Sequence, residues 1–188
     1  MRQLLLLAAM MSVFPLARAA AGETLATNTI PVDNHGTLEI SCPTDWSLIR
    51  TNLNLPGKPV SVELHSLSNT VIVRLTIFWN GFGNEKVKPT EDDMEQSVSN
   101  LASRRYLPLS VEKTFTLEKL QGPAVTGPFI RFTDAGWTPV MTDEYQNVAT
   151  GMFRSGNLWG NFDVLTNDKD GPNFKQGLKV VESIRGKP

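Results

Sequence analysis

Apolar and polar positions alternate most cleanly across PVSVELHSLSNTVIVRLTIFW, residues 59–79. Two runs of period two flank Ser68-Asn69, and that spacing predicts a β-hairpin. With those two residues as the loop, Leu64 faces Val73, Val62 faces Leu75 and Val60 faces Ile77 on an apolar face. The other face pairs Glu63 with Arg74, Ser61 with Thr76 and His65 with Ile72. One register therefore satisfies an apolar layer and a cross-strand charge pair together. Just upstream, TLEISCP and WSLIR read as short strands around a bend that contains Pro43.

Beyond NGFGNEKVKP the period changes. TEDDMEQSVSNLASRRY puts Met94, Val98, Leu101 and Ala102 on one stripe, which predicts a helix. Thr90 is suited to cap it, with Glu91, Asp92 and Asp93 at the positive end of the dipole and Arg104 and Arg105 at the other. After Pro108, the stretches LSVEKTFTLEKL, AVTGPFIRF and NVATGMFRSGNLWGNFDVL read as further strands. A turn at Gly156-Asn157 sets Gly151 opposite Phe162 and Ala149 opposite Val164. Met152, Val148, Trp159 and Leu165 fall on the other face, so both faces are partly apolar and each needs cover. Phe174, Leu178, Val181 and Ile184, at helical spacing, predict a closing helix that supplies part of it.

The first residues set the compartment. Arg2, an apolar run over 4–16 and an Ala-x-Ala ending have the layout of a secretory signal peptide over 1–21. Cleavage falls near Ala19 to Ala21, before Ala20 or before Gly22. The apolar run is too short for the ~20 residues of a membrane span, so the expected product is exported and does not span a membrane after cleavage. Residues 22–36 are polar and without a period, and are expected to form a loose arm ahead of a single domain over 37–188.

Without Arg2 and Arg18 the chain carries 16 basic and 19 acidic residues, a net charge of −3. No Lys/Arg stripe or basic–aromatic interleaving appears, which excludes nucleic acid as the expected partner. The single cysteine, Cys42, rules out an internal disulfide frame and reads as a small buried apolar residue.

Candidate chemistry adds little. NDKDG, residues 167–171, resembles the start of a calcium loop. With Gly171 at the sixth position, Thr166 stands where the first carboxylate is needed and Gly177 where the last is. The stretch reads instead as a corner in which Asp170 or Gly171 caps a helix and Pro172 enters its first turn. His35 and His65 are the two histidines, and no Cys/His cluster has metal-ligand spacing, so no metal or cofactor is expected. WNGFGN lacks the third glycine and the lysine of a phosphate loop, and there is no G-x-S-x-G elbow. A hydrolase would have to use His65; no catalytic residue is assigned. Two loops remain as candidate binding elements: the one bearing Phe82, and 132–146, which carries Trp137, Met141 and Tyr145.

The order of elements, with SCPTDWSL, the hairpin SVELHS…VIVRLTIF, the helix after PTEDD and the closing GMFRSGNLWGNFDVLTNDKDGPNFKQGLKVVESIR, resembles the PsbP-like fold group over residues 37–186. The resemblance implies an α+β domain, an antiparallel sheet of about six or seven strands sandwiched between helices. Members mostly act as binding or assembly factors, so the implied function is non-enzymatic binding of a protein partner. The alternative is a carrier of a small apolar ligand or lipid, with Met152, Trp159 and Phe162 lining a void. The short signal suits bacterial export, which implies a periplasmic or secreted location.

Overall fold

The computed structural model describes residues 24–53, 59–79, 89–138 and 145–188. The central hairpin forms in the expected register: β4 (Val60–His65) and β5 (Val71–Trp79) pair antiparallel with Leu64 opposite Val73, Val62 opposite Leu75 and Glu63 opposite Arg74. Its loop closes through Ser66 N to Val71 O at 3.0 Å, and Asn69 takes a left-handed φ of 52° there. The second hairpin also matches. In β8 (Asn147–Ser155) and β9 (Leu158–Thr166), Gly151 lies opposite Phe162 and Ala149 opposite Val164, with Gly156 at φ 59° in the turn.

The strands β3 (Ser47–Asn52), β6 (Glu118–Lys119) and β7 (Pro128–Thr133) extend these hairpins. The result is one seven-stranded antiparallel sheet, in the order β3-β4-β5-β9-β8-β7-β6. Joining the hairpins is β5 against β9, which puts Arg74 opposite Asp163 and Thr76 opposite Asn161.

Helix α1 (Glu91–Leu101) begins at Thr90 with a full capping box: Asp93 N donates to Thr90 Oγ1, and Thr90 N donates to Asp93 Oδ2. Met94, Val98 and Ala102 are buried, as the stripe requires, whereas Leu101 is 41% exposed and leaves it. The helix runs on into a π-helical turn, Ala102–Tyr106, which carries Arg104 and Arg105. Helix α2 (Pro172–Glu182) starts at Gly171 with Pro172 at its first position. Phe174, Val180 and Val181 are its buried apolar side chains; Leu178 is half-buried, and Ile184 lies buried past the helix end.

Two apolar clusters follow from the alternation along the sheet. Ala149 and Phe153 of β8 pack with Phe162, Val164 and the α2 residues Phe174, Val180 and Val181. Val148 and Met152, the alternate residues of the same strand, pack with Met94, Val98 and Ala102. Gly177 lets α2 approach closely, since a Cβ there would strike Val164 and crowd Val71. The chain is α+β in class.

Two expectations are corrected, and one strand is new. The arm expected over 22–36 is not loose over its described residues, 24–36: β1 (Leu25–Val32) pairs along its length with β2 (Gly36–Pro43), and Ile30 and Val32 are buried. Apolar residues at alternate positions, obscured by Asn28, Thr29 and Pro31, supply the reason. With β10 (Arg185–Lys187), an element not anticipated, these strands form a second sheet in the order β1-β2-β10. Residues 109–120, expected as a strand, contain only the two residues of β6 in a ladder, because the donors of Thr133 on β7 go to the Glu112 side chain.

Candidate functional site

The sheet face that β5, β9 and β8 turn toward α1 is polar at its centre. Thr76, Asn161, Asp163 and Thr150 occupy adjacent strands, brought level by the pairings of Thr76 with Asn161 and of Thr150 with Asp163. Helix α1 contributes Ser97, Val98 and Leu101, and the π-helical turn contributes Arg105 and Tyr106. Together they wall a cleft of about 270 Å³ with Met152 and Gly151 beside its floor.

Asp163 is the distinctive group. Burial pushes its carboxyl up from the ordinary aspartate value; a hydrogen bond from Thr150 and the positive charges of Arg74 and Arg105 oppose that rise. Arg74 is already engaged: its Nε lies 3.0 Å from Glu63 Oε1 across the hairpin, the predicted pair. His65 Nε2 is 3.0 Å from the other oxygen, Glu63 Oε2. A polar ladder thus runs from β4 through β5 to β9 and β8. At the cleft mouth the Arg105 guanidinium lies over the Tyr106 ring, 5.7 Å from its centroid, and Tyr106 stacks on Phe132 at 4.8 Å. Among the lining residues there is neither His nor Cys, so the arrangement offers hydrogen bonds and charge more readily than a paired nucleophile and base.

The residues singled out in the sequence lie elsewhere. Trp137 is half-buried beyond the turn in which Gly136 N donates to Asp134 Oδ1. Tyr145 is half-buried too, and its hydroxyl donates to Asn69 O at 2.7 Å, tying this loop to the β4–β5 turn. Neither lines the cleft. Phe82 and Met141 lie outside the described residues. Of the residues proposed to line a ligand void, Met152 borders the cleft; Trp159 packs tilted against Phe78, ring centroids 4.7 Å apart; Phe162 is 1% exposed within the apolar cluster that includes α2.

The acids of NDKDG have partners within the chain. Asp168 Oδ2 accepts from Asn173 N at the start of α2, and Asp170 Oδ1 accepts from Arg131 Nη1. Gly171, one of the two residues expected, is the cap position, and the carboxylate that reaches the helix start is Asp168, three residues ahead of it. Asp163 and Arg105 were missed by sequence reasoning. The available signal was the charge at Asp163 between the buried Phe162 and Val164, on a face that had to be covered by something.

Among the described residues, no helix is long and apolar enough to cross a membrane. No family model matches the chain, and no curated protein matches it. The fold is similar to the solution structure of cyanobacterial PsbP (CyanoP) from Synechocystis sp. PCC 6803, with a TM-score of 0.47 and 11% sequence identity, covering 93% of this chain and 100% of that one. The similarity is one of fold alone.

Proposed function

We propose that this chain is an exported, non-enzymatic binding factor that acts through protein–protein contacts, made over the sheet face beside α1. The surrounding architecture is read as PsbP-like, an antiparallel sheet sandwiched between helices. The observation that carries the reading is Asp163, a carboxylate whose own burial disfavours its charge at the floor of an open cleft. Perturbed acids in clefts mark sites where a ligand supplies what the fold withholds. Here the missing element is a set of N–H donors from outside.

The size of the cleft favours a side chain of a partner over a free small molecule. Ligand pockets run to roughly 300–1,000 Å³, and this cleft holds about 270 Å³. The surface there is suited to a protein contact: Leu101, which lines the cleft, is 41% exposed, and Ile49, on the same sheet face but out at the β3 edge, is 51% exposed. A carrier of a small apolar ligand or lipid is less well supported, because Met152 alone of its three expected lining residues borders the cleft.

A photo-reactive amino acid placed at Ser97 or Leu101 tests this in intact cells, with Lys175 on α2 as the remote control. All three positions are exposed, so the fold tolerates the replacement. A discrete protein adduct is expected from Ser97 and Leu101, not from Lys175, and is expected to vanish with Asp163→Asn. Equal labelling at all three sites would remove the cleft from the reading. Adducts only from Phe82, Trp137, Met141 or Tyr145, probed in parallel, would move the contact to the loops.

A further inference from the structure

The sheet β1-β2-β10 ends at β1, and the orientation of that strand's backbone can be worked out. Thr44 N donates to Thr24 O at 3.0 Å. In the antiparallel register, where Leu25 lies opposite Pro43 and Ala26 opposite Cys42, this marks the even-numbered residues of β1 as the ones bonded to β2. The N–H and C=O groups of Leu25, Thr27 and Thr29 therefore point away from the sheet. Among the described residues, no hydrogen bond reaches those backbone groups. Their side chains are exposed as well, Leu25 to 60%.

Open edges of this kind are usually blunted by charge, by proline or by a bulge. β1 carries no charged residue at all (LATNTIPV), and its one proline, Pro31, sits in the outward-facing set at the far end. The edge is thus open over Leu25, Thr27 and Thr29 and closed to further pairing at Pro31.

We propose that β1 pairs antiparallel with β1 of a second copy of this chain, about a two-fold axis at Thr27. In that register Leu25 faces Thr29 of the other copy, Thr27 faces its own equivalent, and every outward N–H meets a C=O. Shifting the axis toward Pro31 would set a residue without N–H into the ladder. The two copies bring no like charges together, since the strand has none. Leu25, an exposed apolar side chain with no role in its own chain's core, is covered by Thr29 and Pro31 of the partner strand. A self-complementary edge makes an isologous, closed dimer and does not propagate further. This interface is distinct from the cleft beside α1.

The test uses the full chain as the cell produces it, measured by sedimentation across a concentration series. A dimer is expected. Thr27→Pro removes the donor on the axis without touching a backbone bond to β2; it gives up only the exposed Thr27 Oγ1–Ser41 Oγ hydrogen bond at 3.1 Å, and should leave a monomer with its thermal midpoint little changed. A second variant reads the register directly and does not depend on the first folding. In a Cys42→Ala background, Thr27→Cys sets two thiols opposite each other, at the roughly 5.5 Å Cα separation that a disulfide spans. Thr29→Cys places them roughly 14 Å apart. Mild oxidation should link the first variant to itself and leave the second unlinked. A monomer at every concentration, a dimer indifferent to Thr27→Pro, or equal linking of the two cysteine variants would each overturn the proposal. So would a monomer that pairs through this edge only with another protein.

Discussion

Asp163 shows what one residue can report. Its carboxyl is pushed up by burial, against the Thr150 hydrogen bond and the charges of Arg74 and Arg105. A folded-state pKa above the unfolded value of about 3.9 means that the group contributes stability below about pH 4, and that this contribution is lost as pH rises through the folded value. Asp163→Asn should therefore raise the thermal midpoint at pH 7. It should also flatten the pH dependence just above pH 4. Calorimetry across that range decides it; a lower midpoint at pH 7 would mean that the two arginines hold the charge more strongly than burial opposes it. A variant that gains stability while losing its cross-linked partner is what a binding residue predicts.

Among the elements, the segment between α1 and β7 departs furthest from its sequence pattern. LSVEKTFTLEKL alternates like a strand, yet most of it has no ladder. Glu112 holds it instead. Burial works against the charge of Glu112, but hydrogen bonds from Lys169 Nζ, Ser110 Oγ, Thr133 N and Thr133 Oγ1 outweigh it and keep the carboxyl well below the usual range. That stabilisation is present above the ordinary glutamate pKa and is lost as pH falls below it. Its side chain is 24% exposed, so the bonds are only partly screened. Glu112→Gln should cost about 1.5–3 kcal/mol in urea unfolding at pH 7 and increase amide exchange across 109–117. An unchanged midpoint would show that the segment is held by Val111 N on Thr133 O and its apolar contacts alone. By contrast, the β4–β5 and β8–β9 hairpins and the Thr90 cap were legible in full, because each is decided by residues a few positions apart.

At the scale of the whole molecule, β1 decides whether the N-terminal stretch is ornament or core. Ile30 is 2% exposed within the larger apolar cluster. Ile30→Ala is expected to cost roughly 2–5 kcal/mol, visible as a lower denaturant midpoint in a single cooperative transition. A loose arm would register almost nothing. The chain's far end makes the same point: Gly186 N donates to Ser155 Oγ, and Ser155 Oγ donates to Ala124 O, so β10 ties the small sheet to the large one.

By itself the sequence determined the strand pairs that fold locally, the helix start at Thr90 and the Pro172 corner, since short loops and a period of two leave a single register open. The switch from period two to helical spacing showed that strands and helices are mixed, and the α+β class followed from the PsbP-like resemblance of their order. Only the tertiary structure decided that β5 lies beside β9. That choice sets Arg74 against Asp163 and Thr76 against Asn161, residues far apart in the chain, and so brings Thr76, Asn161 and Asp163 together in the cleft. The alternation in each hairpin is compatible with several neighbours; burial of apolar residues on both faces at once selects among them. The same holds for β1, whose alternate Ile30 and Val32 acquire meaning only once β2, β10 and α2 close over them.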